Sequence, residues 1–481
     1  MAKNTACTTT SAPKWGKVGK RELTRKVTRL NTPNSFDDWT YMVSALRIEG
    51  GTPLKGEVNV RGAKNLVPKA MVAALLGSTP SVLRNVPEIK DVQVVTDLVE
   101  LHGVSVYYNM QAGELRMDPS KVSVANHTDI EVHAGDSRIP ILLCGPLLHT
   151  IGEAFIPDLG GCKIGDRPIN WHLRVLEKFG AKIEKLPTGI SMKAPADGLK
   201  GAQINLEYPS VGATEQVLLA ASRAKGKTEL TGAAIEPEIM DLIAILQKMG
   251  AIITVETDRQ IIIEGVDELT GFNHVAMPDR NESASWASAA LATGGDIFVR
   301  NANQKDLSTF INVYRKLGGG LDITDEGIRF FHQGGDLNPL FVETNVHPGF
   351  MTDWQQPLVV AMTQAKGVSV VHETVYENRF GFTDALVRMG ATVQLHKDCL
   401  GPTPCRFGHQ NFKHSAIITG KTPLRGADIN VPDLRGGFSH VIAALTAEGI
   451  SNVTGVSVIS RGYEHFVDKL TALGANFEVT A

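Results

Sequence analysis

The sequence repeats one helix–strand unit six times along its 481 residues. In each copy an apolar helix leads through a glycine to an alternating strand, and a second helix ends at another glycine before a β-branched run. The first glycines are Gly77, Gly152, Gly226, Gly294, Gly367 and Gly449. The second glycines are Gly103, Gly180, Gly250, Gly318, Gly390 and Gly474, each 23 to 28 residues later. Because chance would not hold this spacing six times, we predict six α/β units of about 70 residues.

The residues around these glycines indicate how the units pack. A glycine at a helix end adopts the left-handed conformation at low cost. Helices such as MVAALLG (71–77) and WASAALATG (286–294) are apolar nearly all round, which is typical of buried helices. We therefore expect helices inside, sheets outside, and two compact domains of three units. An open solenoid is the alternative, although solenoid units are usually shorter and their terminal units more polar.

Composition excludes several classes of protein. With 48 Lys and Arg against 51 Asp and Glu, the net charge of −3 argues against a nucleic-acid partner. No apolar run reaches the roughly 18 residues of a membrane span. The cysteines form no CxxC pair, and no histidine cluster has zinc spacing, so we expect reduced thiols in a cytoplasmic protein, with neither disulfides nor a structural metal. The five cysteines are Cys7, Cys144, Cys162, Cys399 and Cys405.

Residues 1–45 differ from the repeats because lysine and arginine outnumber acidic residues there. No apolar segment follows these charges, which argues against a secretory signal. We expect a flexible, solvated extension. A transit peptide is the alternative interpretation.

Two polar turns carry groups suited to chemistry. Lys64 and Asn65 stand just before an apolar helix, where a lysine can bind a phosphate or carboxylate, although a solvated lysine is the common alternative. Cys162 lies in the Gly-rich stretch PDLGGCKIGDRPIN (157–170), beside Lys163 and Arg167. A thiol near cations is typical of a reactive cysteine, and a surface cysteine without a role is the alternative.

Further polar turns enter apolar helices at related points of the other repeats. They present Arg138, Ser210, Gly212, Asp353, Arg379, Asp433, Arg435 and Arg461. If their cations converge, they form a cleft for a substrate with several phosphates or carboxylates, which arginine binds bidentately. If they do not, most are surface charges.

Taken in order, these motifs resemble those of the UDP-N-acetylglucosamine 1-carboxyvinyltransferases, a family of enolpyruvyl transferases. The resemblance covers about residues 46–481, with few gaps. Its motifs are GAKN (62–65), SRIP (137–140), GGCKIGDRP (160–168), SVGAT (210–214), PDR (278–280), TD (352–353), ENRF (377–380), PDLR (432–435) and RGYE (461–464).

The resemblance implies a two-domain inverse α/β barrel with three βαβαββ units in each domain. One domain would contain residues 46–63 and 278–481, and the other residues 64–277. The implied reaction transfers the enolpyruvyl group of phosphoenolpyruvate to the 3-hydroxyl of UDP-N-acetylglucosamine and releases phosphate, the first committed step of peptidoglycan precursor synthesis. It implies these two small-molecule substrates, and no cofactor, metal, nucleic acid, membrane or obligate protein partner.

The resemblance also implies roles for individual residues. Cys162 would be the acid and Asp353 the base, with Lys64 and Asp433 assisting. Phosphoenolpyruvate would contact Lys64, Asn65, Arg167, Arg379, Arg435 and Arg461. UDP-N-acetylglucosamine would contact Arg138, Arg167, Pro168, Ile169, Asn170, Trp171, Ser210, Val211, Gly212, Asp353 and, through its backbone, Val375. Two positions depart from the family pattern: Asn170 stands where many members have Asp, and Tyr208 where some have Lys.

Three other functions compete with this interpretation. The first is the sister reaction on shikimate 3-phosphate, against which the cysteine-containing loop argues. The second is enolpyruvyl transfer to another nucleotide, suggested by Asn170 and Tyr208. The third is a non-catalytic repeat scaffold, which would tolerate Cys162→Ser and Asp353→Ala alike.

The retained loop cysteine predicts alkylation by fosfomycin, because members of the resembled family with Asp at this position resist the drug. After treatment, mass spectrometry should find one adduct, on Cys162. Full inhibition with an unmodified Cys162 would contradict this prediction.

Overall fold

The computed structural model of the protein describes residues 43–135, 137–159, 169–403 and 405–480. The predicted basic extension lies outside the described residues up to residue 42, and the loop around Cys162 lies outside them from 160 to 168. Val43 is buried, and the first strand begins at Ala45.

The strands of the described residues form six small sheets. They are β1 (Ala45–Glu49), β2 (Lys55–Asn59), β3 (Ser81–Arg84), β4 (Ser105–Asn109), β5 (Glu114–Asp118), β6 (Glu153–Pro157), β7 (Lys182–Leu186), β8 (Gly189–Lys193), β9 (Gln203–Asn205), β10 (Lys227–Thr231), β11 (Ile252–Val255), β12 (Ile261–Glu264), β13 (Asn273–Val275), β14 (Asp296–Arg300), β15 (Gly319–Thr324), β16 (Gly327–His332), β17 (Phe341–Glu343), β18 (Gly367–His372), β19 (Thr392–His396), β20 (Ser415–Gly420), β21 (Asp428–Asn430), β22 (Ile450–Thr454) and β23 (Asn476–Thr480).

Five of the sheets share one topology, in which a parallel pair at one edge is followed by two antiparallel pairs. Their strand orders are β13-β3-β5-β4, β9-β10-β12-β11, β2-β14-β16-β15, β17-β18-β20-β19 and β21-β22-β1-β23. The sixth, β6-β8-β7, is antiparallel in its described strands. The repeated sequence thus gives a repeated topology, and the predicted six-unit α/β fold is confirmed.

The α-helices divide into buried and half-buried sets. The helices that are buried along nearly their whole length are α1 (Val67–Ala73), α4 (Pro140–Thr150), α6 (Val211–Ala221), α8 (Arg280–Ala292), α10 (Thr352–Thr363) and α12 (Leu434–Thr446). The others, α2 (Lys90–Leu101), α3 (His127–Glu131), α5 (Asn170–Lys178), α7 (Pro237–Lys248), α9 (Ser308–Leu317), α11 (Thr383–Arg388) and α13 (Phe466–Ala472), bury a single face. None of the described helices has both the length and the apolar character that crossing a membrane requires.

Short 3₁₀ helices span Ala74–Leu76, Lys305–Leu307 and Val456–Arg461. The second glycines, for which the left-handed conformation is predicted, all adopt it. The second glycine of every unit has a φ between 75° and 109°, in the left-handed region. Five of the six first glycines also have positive φ. Gly77 differs, with a φ of −80°, because the 3₁₀ helix before it ends in extended backbone.

Strands distant in sequence complete two of the units. β1 lies between β22 and β23, so that Leu46 is opposite both Val453 and Val479. β13 lies beside β3, with Asn273 opposite Val82. The beginning and end of the described chain therefore share one sheet, which ties the last unit to the first strand.

Buried apolar side chains form two clusters. One contains residues between Ala63 and Ala276, and the other contains residues 43–60 and 284–473. The chain passes from one cluster to the other at 60–63 and at 276–284, and these segments are hydrogen-bonded to each other. The Ala63 N–H donates to the Met277 carbonyl at 2.8 Å, and a bridge joins Gly62 to Pro278.

A buried ion pair lies beside these crossing segments. Arg280 donates to both carboxylate oxygens of Glu238 at 3.0 and 2.9 Å, and both side chains are at most 3% exposed. Burial opposes the charge on Glu238, but Arg280 outweighs it and lowers the pKa of this carboxyl. The pair therefore links two elements from different apolar clusters.

Replacing one partner of this pair should destabilise the protein strongly. Glu238→Gln leaves the Arg280 guanidinium buried without its counter-ion, and we expect a loss of roughly 3–5 kcal/mol in the free energy of unfolding. The exposed bidentate pair of Arg300 with Glu57 gives the matched control, and Glu57→Gln should cost less than about 1 kcal/mol. Urea unfolding measures the loss in the free energy of unfolding for each variant. Equal losses in Glu238→Gln and Glu57→Gln would contradict the prediction that the buried pair is the more important one.

Candidate active site

A cavity of about 420 Å³ lies where the buried helices begin. Its lining includes one residue at the start of each of five helices of 11 to 13 residues. These are Ile139 before α4, Ser210 before α6, Arg280 in α8, Thr352 in α10 and Leu434 in α12. The first N–H groups of a helix have no partner within the helix and carry partial positive charge. The cavity is therefore suited to anionic ligands.

The cavity brings together most of the predicted site residues that the structure describes. Those lining it are Lys64, Asn65, Arg138, Trp171, Ser210, Val211, Gly212, Asp353, Val375, Arg379 and Arg435. Ile169, Asn170, Asp433 and Arg461 are described but are not among the lining residues. Cys162, Arg167 and Pro168 lie outside the described residues. Residues as far apart in sequence as Lys64 and Arg435 thus meet at one place.

Asp353 lies between two buried arginines. Arg379 Nη2 donates to Asp353 Oδ1, and Arg435 Nε is 3.6 Å from Oδ2. Burial disfavours the charge on Arg379 and Arg435, but neighbouring acidic groups, Asp353 among them, outweigh burial and raise the pKa of each guanidinium. Both arginines therefore stay protonated and can bind a carboxylate in the cavity.

A second ion-pair group connects Lys64 to Arg461. The buried carboxylate of Asp91 is 2.7 Å from Lys64 Nζ and 3.2 Å from Arg461 Nε. Burial alone would raise the pKa of Asp91, but the two cations outweigh it and lower that pKa. Although Arg461 does not line the cavity, it is held by the same carboxylate as Lys64, which does.

Two polar side chains fix the starts of their helices. The Asp433 carboxylate accepts from the N–H groups of Arg435 and Gly436 at 3.0 and 3.1 Å, which caps α12. Ser210 caps α6 by accepting from Ala213 N at 3.3 Å. Because this cap fixes the start of α12, it also fixes Arg435, the second residue of that helix. In the structure, Asp433 therefore positions Arg435.

The sequence did not single out several charged residues of the cavity. Lys69 and Glu215 face each other there, with Lys69 Nζ 3.6 Å from Glu215 Oε1. Burial raises the pKa of Glu215 to about 7 and lowers the pKa of Lys69. Both residues stand inside apolar helix sequences, and this could have revealed them, because a charged residue in a fully buried helix needs a partner.

Glu236, Arg280 and Arg406 also line the cavity. Arg406 lies over the ring of Tyr208, 4.2 Å from its centroid, and donates to the Val375 carbonyl at 2.7 Å. The tyrosine that departs from the family pattern thus stacks against an arginine. Comparing the sequence at position 208 or at position 406 alone would not reveal this contact.

Comparisons with known proteins agree with this geometry. The family model described as EPSP synthase (3-phosphoshikimate 1-carboxyvinyltransferase) matches residues 48–470. A relative named UDP-N-acetylglucosamine 1-carboxyvinyltransferase, from Protochlamydia amoebophila, is 47% identical over 438 residues, which cover 90% of this chain and 94% of the relative. The chain belongs to the UDP-N-acetylglucosamine 1-carboxyvinyltransferase family. The predicted family is therefore confirmed.

One further relative supports this family, and two solved structures share the fold. A family member from Staphylococcus epidermidis is 39% identical, with coverage of 90% of this chain and 98% of the relative. The solved enolpyruvyl transferase NikO from Streptomyces tendae has a TM-score of 0.79 at 20% identity and covers 91% of this chain and 99% of its own. An EPSP synthase structure from Acinetobacter baumannii has a TM-score of 0.68 at 18% identity and covers 91% of this chain and 100% of its own. At such identities the structures support the fold alone.

Removing the carboxylate that joins Lys64 to Arg461 should destabilise the protein in a pH-dependent way. We expect Asp91→Asn to cost roughly 1–3 kcal/mol at neutral pH, because two largely buried cations lose their partner. The folded pKa of Asp91 is lowered, so its stabilisation is present above its unfolded pKa of about 4 and is lost as the pH falls through the folded value.

Urea unfolding of the wild type and the variant at several pH values measures this effect. The difference in the free energy of unfolding between the wild type and Asp91→Asn should be constant near neutral pH and shrink below about pH 5. Asp197→Asn, which removes the exposed partner of Lys200, serves as the control and should change stability little. If the difference grew as the pH fell, the pKa of Asp91 would be raised on folding rather than lowered, which would contradict the prediction.

Proposed function

We propose that this chain transfers the enolpyruvyl group of phosphoenolpyruvate to the 3-hydroxyl of UDP-N-acetylglucosamine and releases inorganic phosphate. The observation that supports this most directly is the cavity in which Asp353, Arg379, Arg435 and Lys64 meet at helix N-termini. Both substrates are anionic small molecules, and the relatives with this name match nearly the whole chain. The reaction is the first committed step of peptidoglycan precursor synthesis.

The chemistry requires an acid, a base and several cations. In the addition step, the sugar oxygen bonds to C2 of phosphoenolpyruvate, the hydroxyl loses its proton, and the methylene carbon C3 gains one. In the elimination step, C3 loses a proton, the bond from C2 to the phosphate oxygen breaks, and phosphate leaves with the bonding electrons. Positioned proton-transfer groups and preorganised positive charge accelerate such steps.

The contacts of Asp353 support its role as the base. Its carboxylate lies in the cavity and is held by Arg379 and Arg435, which are also the proposed partners of the phosphoenolpyruvate carboxylate. The donor carboxylate and the base would then share two cations, so substrate binding brings C2 close to the group that deprotonates the acceptor. Cys162 is the proposed acid.

The donor phosphate would be bound near Lys64, with Asn65, Arg167 and Arg461 assisting. Asp91 supports this role because it fixes the ammonium group of Lys64 at 2.7 Å. The cation remains available to a ligand, since Lys64 lines the cavity. Charge on the leaving phosphate would be stabilised in place without reorganisation during the reaction.

The acceptor would occupy the part of the cavity lined by Arg138, Trp171, Ser210–Gly212 and Val375. Trp171 and Tyr208 lie close together there, with ring centroids 6.2 Å apart. Arg138 and Arg406, which also lines the cavity, are cations that suit a diphosphate. Asn170 is described as the first residue of α5 and does not line the cavity, so we propose that its departure from the family pattern affects the nucleotide less than Tyr208 does.

The domain division remains part of this proposal. Residues 46–63 with 278–481 would form one domain and 64–277 the other, and the two apolar clusters support this division. We also propose a cytoplasmic location, where both substrates are made, with no protein partner required for catalysis.

A phosphate-release assay tests the function. Phosphate should appear with phosphoenolpyruvate and UDP-N-acetylglucosamine and not with shikimate 3-phosphate, and mass spectrometry should detect the enolpyruvyl product. Asp353→Asn should lower kcat by roughly 10²–10⁴-fold, since general base catalysis contributes that much. Asp325→Asn, at an exposed turn, is the control. Activity with shikimate 3-phosphate alone, or an unaffected Asp353→Asn, would refute the proposal.

A further inference from the structure

Two cysteines and two histidines outside the cavity direct their ligand atoms to one point. Cys399 Sγ is 3.4 Å from Cys405 Sγ and 3.3 Å from His414 Nε2. His372 completes the group, and all four ligand atoms lie within 4.8 Å of one another. In a tetrahedral zinc site with Zn–S and Zn–N bonds of usual length, the ligand atoms are about 3.3–3.8 Å apart. The group therefore has nearly the size of such a site.

The two histidines are oriented as metal ligands are. Both are fully buried. The Nδ1 atom of His372 is hydrogen-bonded to Glu343 Oε2 at 2.9 Å, and that of His414 to the Phe412 carbonyl at 3.0 Å. The Nε2 atom of His414 lies 3.3 Å from Cys399 Sγ, and a ring nitrogen of His372 is within 4.8 Å of the other three ligand atoms. Carboxylate or carbonyl partners on the second ring nitrogen are typical of zinc-bound histidines, because they fix the tautomer and the ring.

His372 also carries an unexplained buried atom. Its Nε2 has no hydrogen-bond partner among the described residues, although the side chain is entirely buried. A buried polar atom without a partner costs free energy, and native proteins rarely leave one unsatisfied. A metal ion at this point would satisfy it.

The loop that supplies three of these ligands is long for its place in the fold. It connects two paired antiparallel strands, β19 and β20, with residues 397–414, of which all but 404 are described. The equivalent connections in four other units are 110–113, 187–188, 256–260 and 325–326. Long connections between paired strands are uncommon and need their own stabilisation. A metal bound to residues 399, 405 and 414 would supply it.

We propose that His372, Cys399, Cys405 and His414 bind one structural zinc ion. Two thiolates with two imidazoles favour Zn²⁺, and four protein ligands leave no open position for catalysis. Binding releases the two thiol protons to solvent and involves no change of redox state. This site does not depend on the proposed reaction, and metal content can be measured without it.

The surroundings of the ligands support a fixed loop. A Cβ at Gly401 would overlap Glu343 Oε2 and His372 Nδ1, so the chain crosses the outer side of this histidine where only glycine fits. Thr403 N also donates to Glu343 Oε2, at 3.2 Å. One residue beyond Cys405, Arg406 reaches the cavity. The ion would therefore fix the loop that carries a cavity-lining arginine.

Metal analysis of the full chain, expressed with zinc and purified without chelators, tests the proposal. We expect one zinc per chain by plasma mass spectrometry. Cys399→Ser and His414→Gln should each retain at least about tenfold less after dialysis. His409→Gln changes an exposed histidine of the same loop and should retain the full amount. Circular dichroism establishes that each variant is folded.

Cobalt exchange into the wild-type protein gives a readout that does not require the variants to fold. Tetrahedral Co²⁺ bound to thiolates should produce visible and thiolate charge-transfer absorption, abolished by added zinc. Three outcomes would overturn the proposal: no zinc and no cobalt spectrum in the wild type, a Cys399–Cys405 disulfide in non-reduced peptides, or full zinc content in both ligand variants.

Discussion

The whole arrangement depends on buried helices that begin at a common cavity. Because α4, α6, α8, α10 and α12 are covered on all sides, their unpaired N–H groups cannot all face bulk water. Their positive ends instead meet around one polar space. Anionic groups are favoured there before any side chain is considered, and Lys64, Arg379 and Arg435 strengthen a preference that the backbone already creates.

The charged residues of the cavity are held by partners as much as by the backbone. Asp91 joins Lys64 to Arg461, Asp353 joins Arg379 to Arg435, and Asp433 caps the helix that carries Arg435. Buried cations need such counter-ions, since desolvation would otherwise favour their neutral forms or destabilise the fold. The same contacts that stabilise the protein therefore set the geometry in which two anionic substrates would meet.

Much of the fold could be predicted from the sequence because the pattern of helix, glycine and strand occurs six times. The glycine at each helix end requires a left-handed backbone, and the spacing of Gly250, Gly318 and Gly390 repeats in units whose sheets have the same topology. The pairing of β1 with β22 and β23 had no local signal, because it joins the first strand to the last unit. The extended backbone at Gly77 follows a 3₁₀ turn, Ala74–Leu76, that its apolar residues do not specify.

The site was predictable only in part, for similar reasons. Polar turns before apolar helices pointed to Arg138, Lys64 and Asp353, and the structure places all three in one cavity. Glu215 was hidden inside an apolar helix, and its partner lies in another. The zinc ligands were missed because the sequence was searched for close pairs, whereas residues 372, 399, 405 and 414 come from a strand and an irregular loop. Only folding brings their side chains together.

In the proposed function, one cavity binds both substrates and carries out the transfer. A crystal structure of the protein with bound UDP-N-acetylglucosamine tests it most directly. We expect density for the nucleotide sugar in this cavity, with its 3-hydroxyl within hydrogen-bond reach of Asp353 and the Cys162 thiol facing the same space. A nucleotide sugar bound elsewhere, or a sugar hydroxyl remote from Asp353, would contradict it.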